Sequence, residues 1–263
     1  MDFSLNLKIN NISHSFDNKN YLFKNLNYEI ESSEIIAITG PNGSGKSTLI
    51  KIIASLLKPS NGNIELYVNQ NKINIENYYL YTSLVSPYLN LYEEFTGLEH
   101  IKICDEFLNS HSKRSEESKI SNCHSERSEE SHKSLLPHSL RFFTSFRMTP
   151  SYREEIIQEL RMTAKHSEQT ISDILNIFEL KKVANDQIRT YSSGQKQRLK
   201  YILALLKEPL VCLFDEPFTN LDDNGINIAK QFIDNLIKKK RIVIIASNDD
   251  REIELSNRQI ELI

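Results

Sequence analysis

The nonapeptide GPNGSGKST at residues 40–48 constrains this chain more than any other stretch. It satisfies the spacing glycine, four residues, glycine, lysine, then serine or threonine. A loop of this kind needs a strand to deliver the chain into it and a helix that starts near its lysine. The flanks supply both. Residues 34–39, EIIAIT, are a β-branched apolar run that reads as a buried strand. Residues 46–57, KSTLIKIIASLL, carry a helical apolar face at Leu49, Ile50, Ile53, Ala54 and Leu57. The loop amides then point inward and the helix N-terminus adds positive potential, which makes a cradle for a triphosphate. Gly40, Pro41, Asn42, Gly43, Ser44, Gly45, Lys46, Ser47 and Thr48 form that candidate cradle. Lys46 is expected to reach the β- and γ-phosphates, and Ser47 to place a hydroxyl on Mg²⁺. The alternative is a glycine turn that merely precedes Lys-Ser; the full consensus between correct flanks argues against it.

The chain has seven glycines, and Gly40, Gly43, Gly45 and Gly194 fall in two short motifs. A glycine-poor chain that concentrates its glycines needs special backbone geometry there. The second motif is YSSGQKQR at 191–198, where Ser192, Ser193 and Gly194 open a helix with apolar positions at Leu199, Ile202, Leu203 and Leu206. Small hydroxyl residues and a glycine at a helix start make an anion site, although many helices start this way. Residues 210–217, LVCLFDEP, then read as a buried strand ending in two adjacent carboxylates. Asp215 is a candidate Mg²⁺ ligand, directly or through water, and Glu216 is placed to polarise a water near a γ-phosphate. An Asp-Glu pair at a strand end is common by itself; the glycine loop earlier in the chain gives it weight.

Together these stretches resemble the nucleotide-binding domain of ABC transporters. Four motifs stand in that family's order: the Walker A loop GPNGSGKST, the signature YSSGQ (191–195), the Walker B run LVCLFDEP and the D-loop TNLD (219–222). The resemblance covers nearly the whole chain outside 109–150. It implies an α/β fold with a P-loop NTPase core, mainly a parallel sheet flanked by helices. It further implies an antiparallel β-subdomain from the alternating stretches 5–30 and 62–75, and an α-helical subdomain entered through 88–101. By the same resemblance Phe16 stacks on adenine, although an ordinary strand-end aromatic reads the same way. Ser192, Ser193, Gly194, Gln195 and Asp222 join the nucleotide site. Two such domains pair head to tail, and Ser193 and Gly194 of one contact the γ-phosphate held by Lys46 of the other. ATP and Mg²⁺ are the implied cofactors, and Glu216 is the general base.

Two positions depart from the family pattern. The switch position, normally histidine, falls on Asn248 in RIVIIASND (241–249). An asparagine can hydrogen-bond a phosphate or water but cannot carry a proton's charge. The Q-loop position, normally glutamine, falls near Pro87, with Ser86 and Asn90 beside it. Proline offers no side-chain ligand. Mg²⁺-dependent hydrolysis is expected, slow without a partner; the rival is a domain that binds ATP and turns it over poorly.

The middle of the chain interrupts this plan. HSKRSEES (111–118) recurs almost unchanged as HSERSEES (124–131), in a segment that holds four of the seven histidines. A zinc site from His111, Cys123, His124 and His132 suffers from the adjacent Cys-His pair, which is poor ligand spacing. A nucleic-acid arm is opposed by Glu116, Glu117, Glu126, Glu129 and Glu130, which largely cancel the basic residues. A phosphorylation switch has nothing to select it. The stretch resembles peptides read out of dispersed palindromic repeats of bacterial genomes, so 110–150 is expected to be a flexible insertion. Residues 1–109 and 151–263 then make one ATPase domain.

Composition bounds the remaining choices. A hydrophobic share of 39% supports a packed core, and a net charge of -3 gives no case for a polyanion-binding chain. Three cysteines without CxxC spacing point to a reducing compartment. The start, MDFSLNLKINN, has no basic region followed by an apolar stretch, and no segment is apolar enough to span a bilayer. The resemblance implies as partners an integral membrane permease on a separate chain and a second ATPase chain, identical or different; the charge balance gives no case for nucleic acid. The expected place is the cytoplasm, at the inner face of the cell membrane through that permease. An exporter-type subunit is the weak narrowing. Soluble ABC ATPases are the competing class, although translation-factor types carry two ATPase domains per chain, and DNA-repair and chromosome types place a heptad coiled coil before the signature. GTPases and small kinases share the loop but not YSSGQ.

Overall fold

The computed structural model describes residues 4–17, 20–75, 78–106, 168–206 and 208–263. The chain forms two compact units, Met1–Tyr88 with Lys207–Ile263, and Leu89–Leu206. The repeat-bearing segment 110–150 lies outside the described residues.

The first unit contains two sheets. Strands β1 (Leu5–Ser15), β2 (Tyr21–Glu31), β4 (Asn61–Val68) and β5 (Asn71–Lys72) form an antiparallel sheet in the order β2-β1-β4-β5. Along β1, Leu5, Leu7 and Ile9 are buried while Asn6 and Lys8 are half-exposed, the period of two expected of a strand with one face on the core. Asn11 takes φ 51 where the register with β2 shifts, a bulge after which Ile12 to Ser15 are all buried. The stretches read as an antiparallel subdomain form this sheet.

The second sheet is parallel: β6 (Thr82–Val85), β7 (Val211–Asp215), β8 (Ile242–Ala246), β3 (Ile35–Thr39) and β9 (Arg258–Glu261), in the order β6-β7-β8-β3-β9. Every residue of β7 and β8 is buried, which is why these strands read as unbroken apolar runs. Helices α1 (Lys46–Ile53), α2 (Tyr78–Tyr81) and α6 (Asp223–Lys238) belong to this unit. On α6 the buried residues Ile226, Ala229, Phe232, Ile233 and Leu236 follow the helical period, and Phe232 meets Phe214 of β7 edge to face at 6.2 Å. One apolar core joins the sheets, with Leu7 and Leu66 from the antiparallel sheet, Ile50 and Ile53 from α1, and Ile38, Leu213 and Ile244 from the parallel one.

Helix α1 is shorter than its apolar pattern. It ends at Ile53 because Ser55 turns left-handed (φ 57) and the amides of Leu56 and Leu57 both donate to the Lys51 carbonyl. That closes the last turn four residues before Leu57.

In the second unit, α3 (residues 97–106), α4 (Glu168–Ile177) and α5 (Ser193–Leu206) are helices. Two stretches far apart in sequence are stitched together by backbone bonds: Leu98 N to Ala184 O (2.8 Å), Ile188 N to Phe95 O (2.8 Å) and Arg189 N to Glu93 O (3.1 Å). Lys196 of α5 adds an ion pair to Glu93 at 2.7 Å. Among the described residues, no helix is long and apolar enough to cross a membrane.

Candidate nucleotide-binding site

The glycine loop leaves the C-terminal end of β3 and enters α1. Gly40 has φ 138, and a Cβ there would lie 2.2 Å from the Leu262 carbonyl oxygen, so a side chain is sterically excluded. Gly45 caps α1 in the left-handed conformation (φ 99, ψ 14). Lys46 is nearly buried, and its Nζ donates to the carbonyls of Gly40 (2.8 Å) and Pro41 (3.1 Å), which holds the ammonium across the loop. Pro41, Asn42 and Gly43 are exposed at the loop's rim, and Thr48 is half-buried in the first turn of α1. The buried Ser44 hydroxyl has no hydrogen-bond partner among the described residues, which suits an external oxygen.

The strand order puts the carboxylates beside this loop. Asp215 ends β7 and is 3% exposed; its Oδ1 accepts from the Ser47 hydroxyl at 2.9 Å and its Oδ2 from the Ser86 hydroxyl at 3.3 Å. Burial raises the Asp215 pKa and the Glu216 charge adds to this, while the two serine hydroxyls and Lys51 oppose it. Glu216 follows with φ 48, a conformation side-chain-bearing residues rarely adopt, and its amide donates to Ala246 O at 2.9 Å. The Thr219 hydroxyl reaches Glu216 Oε2 at 3.4 Å.

Strand β8 lies between β7 and β3, so the residues after it pass the loop. The Ser247 amide donates to Ile38 O at 3.1 Å, and Asn248 Nδ2 donates to Asn42 Oδ1 at 2.9 Å. The switch position thus contacts the rim of the glycine loop. Helix α7 (Asp250–Ile253) follows, and Glu252, 2% exposed, accepts the Phe218 amide at 2.6 Å just past the carboxylate pair. Its carboxyl is pushed up to about 6 by burial; the Ser247 hydroxyl and the Phe218 amide offset this in part, and the Asp249 and Glu216 charges add to it.

Phe16 is 73% exposed at the end of β1. It meets the buried His14 edge to face at 4.8 Å, and Phe23 lies under Gly45, so an aromatic group stands near the loop's base. Asp222 caps α6 through Gly225 N at 2.9 Å. In the second unit, Ser192 and Gln195 form a reciprocal capping box on α5: Ser192 N donates to Gln195 Oε1 (2.9 Å) and Gln195 N to Ser192 Oγ (3.2 Å). Ser193 and Gly194 occupy the first turn, with Ser193 exposed.

A protein-family model described as "ABC transporter" matches residues 23–219. The chain belongs to the ABC transporter family. It is similar to the uncharacterized ABC transporter ATP-binding protein YcbN of Bacillus subtilis (strain 168), 23% identical over 244 residues, covering 92% of this chain and 61% of YcbN. It therefore spans less than two thirds of that relative. It is also similar to the lipoprotein-releasing system ATP-binding protein LolD 1 of Chlorobium chlorochromatii (strain CaD3), 26% identical over 247 residues, 92% of this chain and 80% of that one. Its fold matches the ATP-binding cassette MJ0796, solved as a dimer in a post-hydrolysis state with ADP and Pi (TM-score 0.63, 22% identity, 97% of this chain and 94% of that one).

As a member of that family, the chain has the expected α/β fold, with the glycine loop set between β3 and α1. The donors around Asp215 are a carboxylate and the Ser47 and Ser86 hydroxyls, an all-oxygen set that suits a hard cation such as Mg²⁺. The sequence places Ser86 beside the Q-loop position without a role, gives Thr219 only as the start of the D-loop motif, and does not single out Glu252. Their significance comes from strand order and from contacts across long stretches of sequence.

Proposed function

We propose that this chain is the ATP-hydrolysing subunit of an ABC transporter, acting with a membrane permease on a separate chain. The carrying observation is the 2.9 Å bond between Ser47, in the first turn after the glycine loop, and Asp215, at the end of β7. It brings two motifs far apart in sequence together, which supports reading them as one phosphate and cation site. The loop amides and Lys46 hold the β- and γ-phosphates, and Ser47 with Asp215 holds Mg²⁺. Bound there, Mg²⁺ neutralises charge on the phosphoryl oxygens. Glu216, adjacent to Asp215, takes the proton of the attacking water. Asn248, held on Asn42, orients that water or the γ-phosphate by hydrogen bonding and transfers no proton. Phe16 supplies the face on which adenine stacks.

Two ATPase chains, identical or different, close head to tail, and Ser193 and Gly194 at the start of α5 cap the ATP held by the other's Lys46. The shared fold with the dimeric MJ0796 cassette supports this pairing. ATP closes the pair and hydrolysis opens it, because the closed state binds ATP and ADP with different affinity. The chain works in the cytoplasm, at the inner membrane face, through its permease. With Pro87 and Asn248 replacing glutamine and histidine, turnover is slow in the absence of that partner.

Residues 110–150 are an insertion in the helical subdomain, of the translated palindromic-repeat kind. Deleting 111–149 leaves ATP binding intact; a deletion variant that folds and no longer binds ATP overturns the insertion reading. The hydrolysis reading is tested by steady-state phosphate release from wild type and Glu216→Gln. Wild type releases phosphate with Mg²⁺ and the variant does not. One identical background rate for both ends the claim.

A further inference from the structure

The family's Q-loop position falls on Pro87, which has no ligand to give, yet the same strand end places another oxygen on Asp215. Strands β6 and β7 are parallel, with Val85 opposite Phe214 and Leu84 opposite Leu213. The next pair along this register is Ser86 beside Asp215. Ser86 is 4% exposed, its Oγ lies 3.3 Å from Asp215 Oδ2, and the Tyr88 amide donates to the same oxygen at 3.3 Å as the chain turns past Pro87. On the other side Ser47 Oγ lies 2.9 Å from Oδ1. Each oxygen of the one buried carboxylate thus faces a serine hydroxyl, one from the glycine-loop helix and one from the end of β6.

We propose that Ser86 is a cation-site residue: its hydroxyl supplies the Mg²⁺ shell with the oxygen that Pro87 cannot. This rests on the reading of the site as a Mg²⁺·ATP site. Two hydroxyl oxygens and the two oxygens of one carboxylate converge with a single formal negative charge, which favours a hard divalent cation that also takes oxygens from a phosphate chain. The role requires the strand register. Ser86 directly follows β6, one step beyond the Val85–Phe214 pair, and that step sets its hydroxyl beside Asp215.

The probe is Mn²⁺, measured by electron paramagnetic resonance on the full chain with ATP, beside ATP binding in EDTA. Ser86→Ala and the near-isosteric Ser86→Cys, whose sulfur is a poor ligand for a hard cation, are compared with wild type. Both variants are expected to hold Mn²⁺ about tenfold more weakly in the ATP complex. Both keep metal-free ATP affinity within about twofold, because the glycine loop and Lys46 are untouched. Mn²⁺ held equally by all three proteins overturns the proposal. So does a matching loss of metal-free ATP binding, which places Ser86 in the framework and not at the cation. Wild type that binds ATP without retaining Mn²⁺ removes the cation site itself, and wild type that binds no ATP removes the functional reading beneath it.

Discussion

Glu252 makes the linkage between this fold and pH measurable. Its carboxyl sits 2% exposed on α7 and accepts the Phe218 amide at 2.6 Å. Burial raises its pKa from the ordinary 4.5 to about 6, with the Asp249 and Glu216 charges adding to the shift. Between those two values the folded chain keeps a proton that the unfolded chain has released. Stability therefore falls as pH rises through that window and stays lower above it. A shift of this size corresponds to ~2 kcal/mol, disfavouring the ionised folded form. Glu252→Gln retains an oxygen for the Phe218 amide and removes the ionisation. The variant's stability relative to wild type is expected to rise by ~2 kcal/mol between about pH 4.5 and about pH 7.5, with nearly all the change below about pH 6.5. In thermal melts this is a relative gain of roughly 4–8 °C across the same range. Denaturant melts at several pH values measure it directly. A difference between variant and wild type that stays flat with pH shows an unshifted carboxyl and refutes the reasoning. A difference that shrinks as pH rises shows a carboxylate stabilised by its surroundings and refutes it more strongly.

Three further outcomes follow from the geometry. Gly40→Ala forces a Cβ to 2.2 Å from the Leu262 carbonyl at φ 138, so it should cost at least ~2 kcal/mol in denaturant melts and lower ATP affinity. Lys46→Ala removes charge-assisted bonds to the phosphates and should weaken ATP binding by about 10- to 100-fold in titration calorimetry, with little change in melting temperature. Ser192→Ala deletes one half of the capping box on α5 and should cost ~1 kcal/mol, read as a small fall in melting temperature.

Local motifs were legible because their chemistry is local. The glycine loop announces itself through residues that serve as conformational exceptions, and Gly40 and Gly45 take the positive φ values that the spacing implied. The runs 210–214 and 242–246 read as buried strands because both faces of a central parallel strand are covered. The end of α1 was less legible. Its apolar pattern continues past Ile53, but Ser55 turns left-handed and the chain leaves the helix. The motif implies nucleotide contacts for Ser192 and Gln195; the fold gives them a local task, closing the helix N-terminus on each other.

The sequence by itself determined the family, the strand–glycine loop–helix unit and the carboxylate pair at a strand end, since each is written within a few consecutive residues. Tertiary structure decided which of the remaining side chains share that site. Ser86 reaches Asp215, 129 residues away, because β6 and β7 are neighbours in register. Asn248 reaches Asn42, 206 residues away, because β8 runs beside β3. Glu252 is strained as an anion only because α7 buries it against the turn after Glu216. Strand order is fixed by which apolar faces cover one another across the whole core, and no short stretch of sequence carries that information.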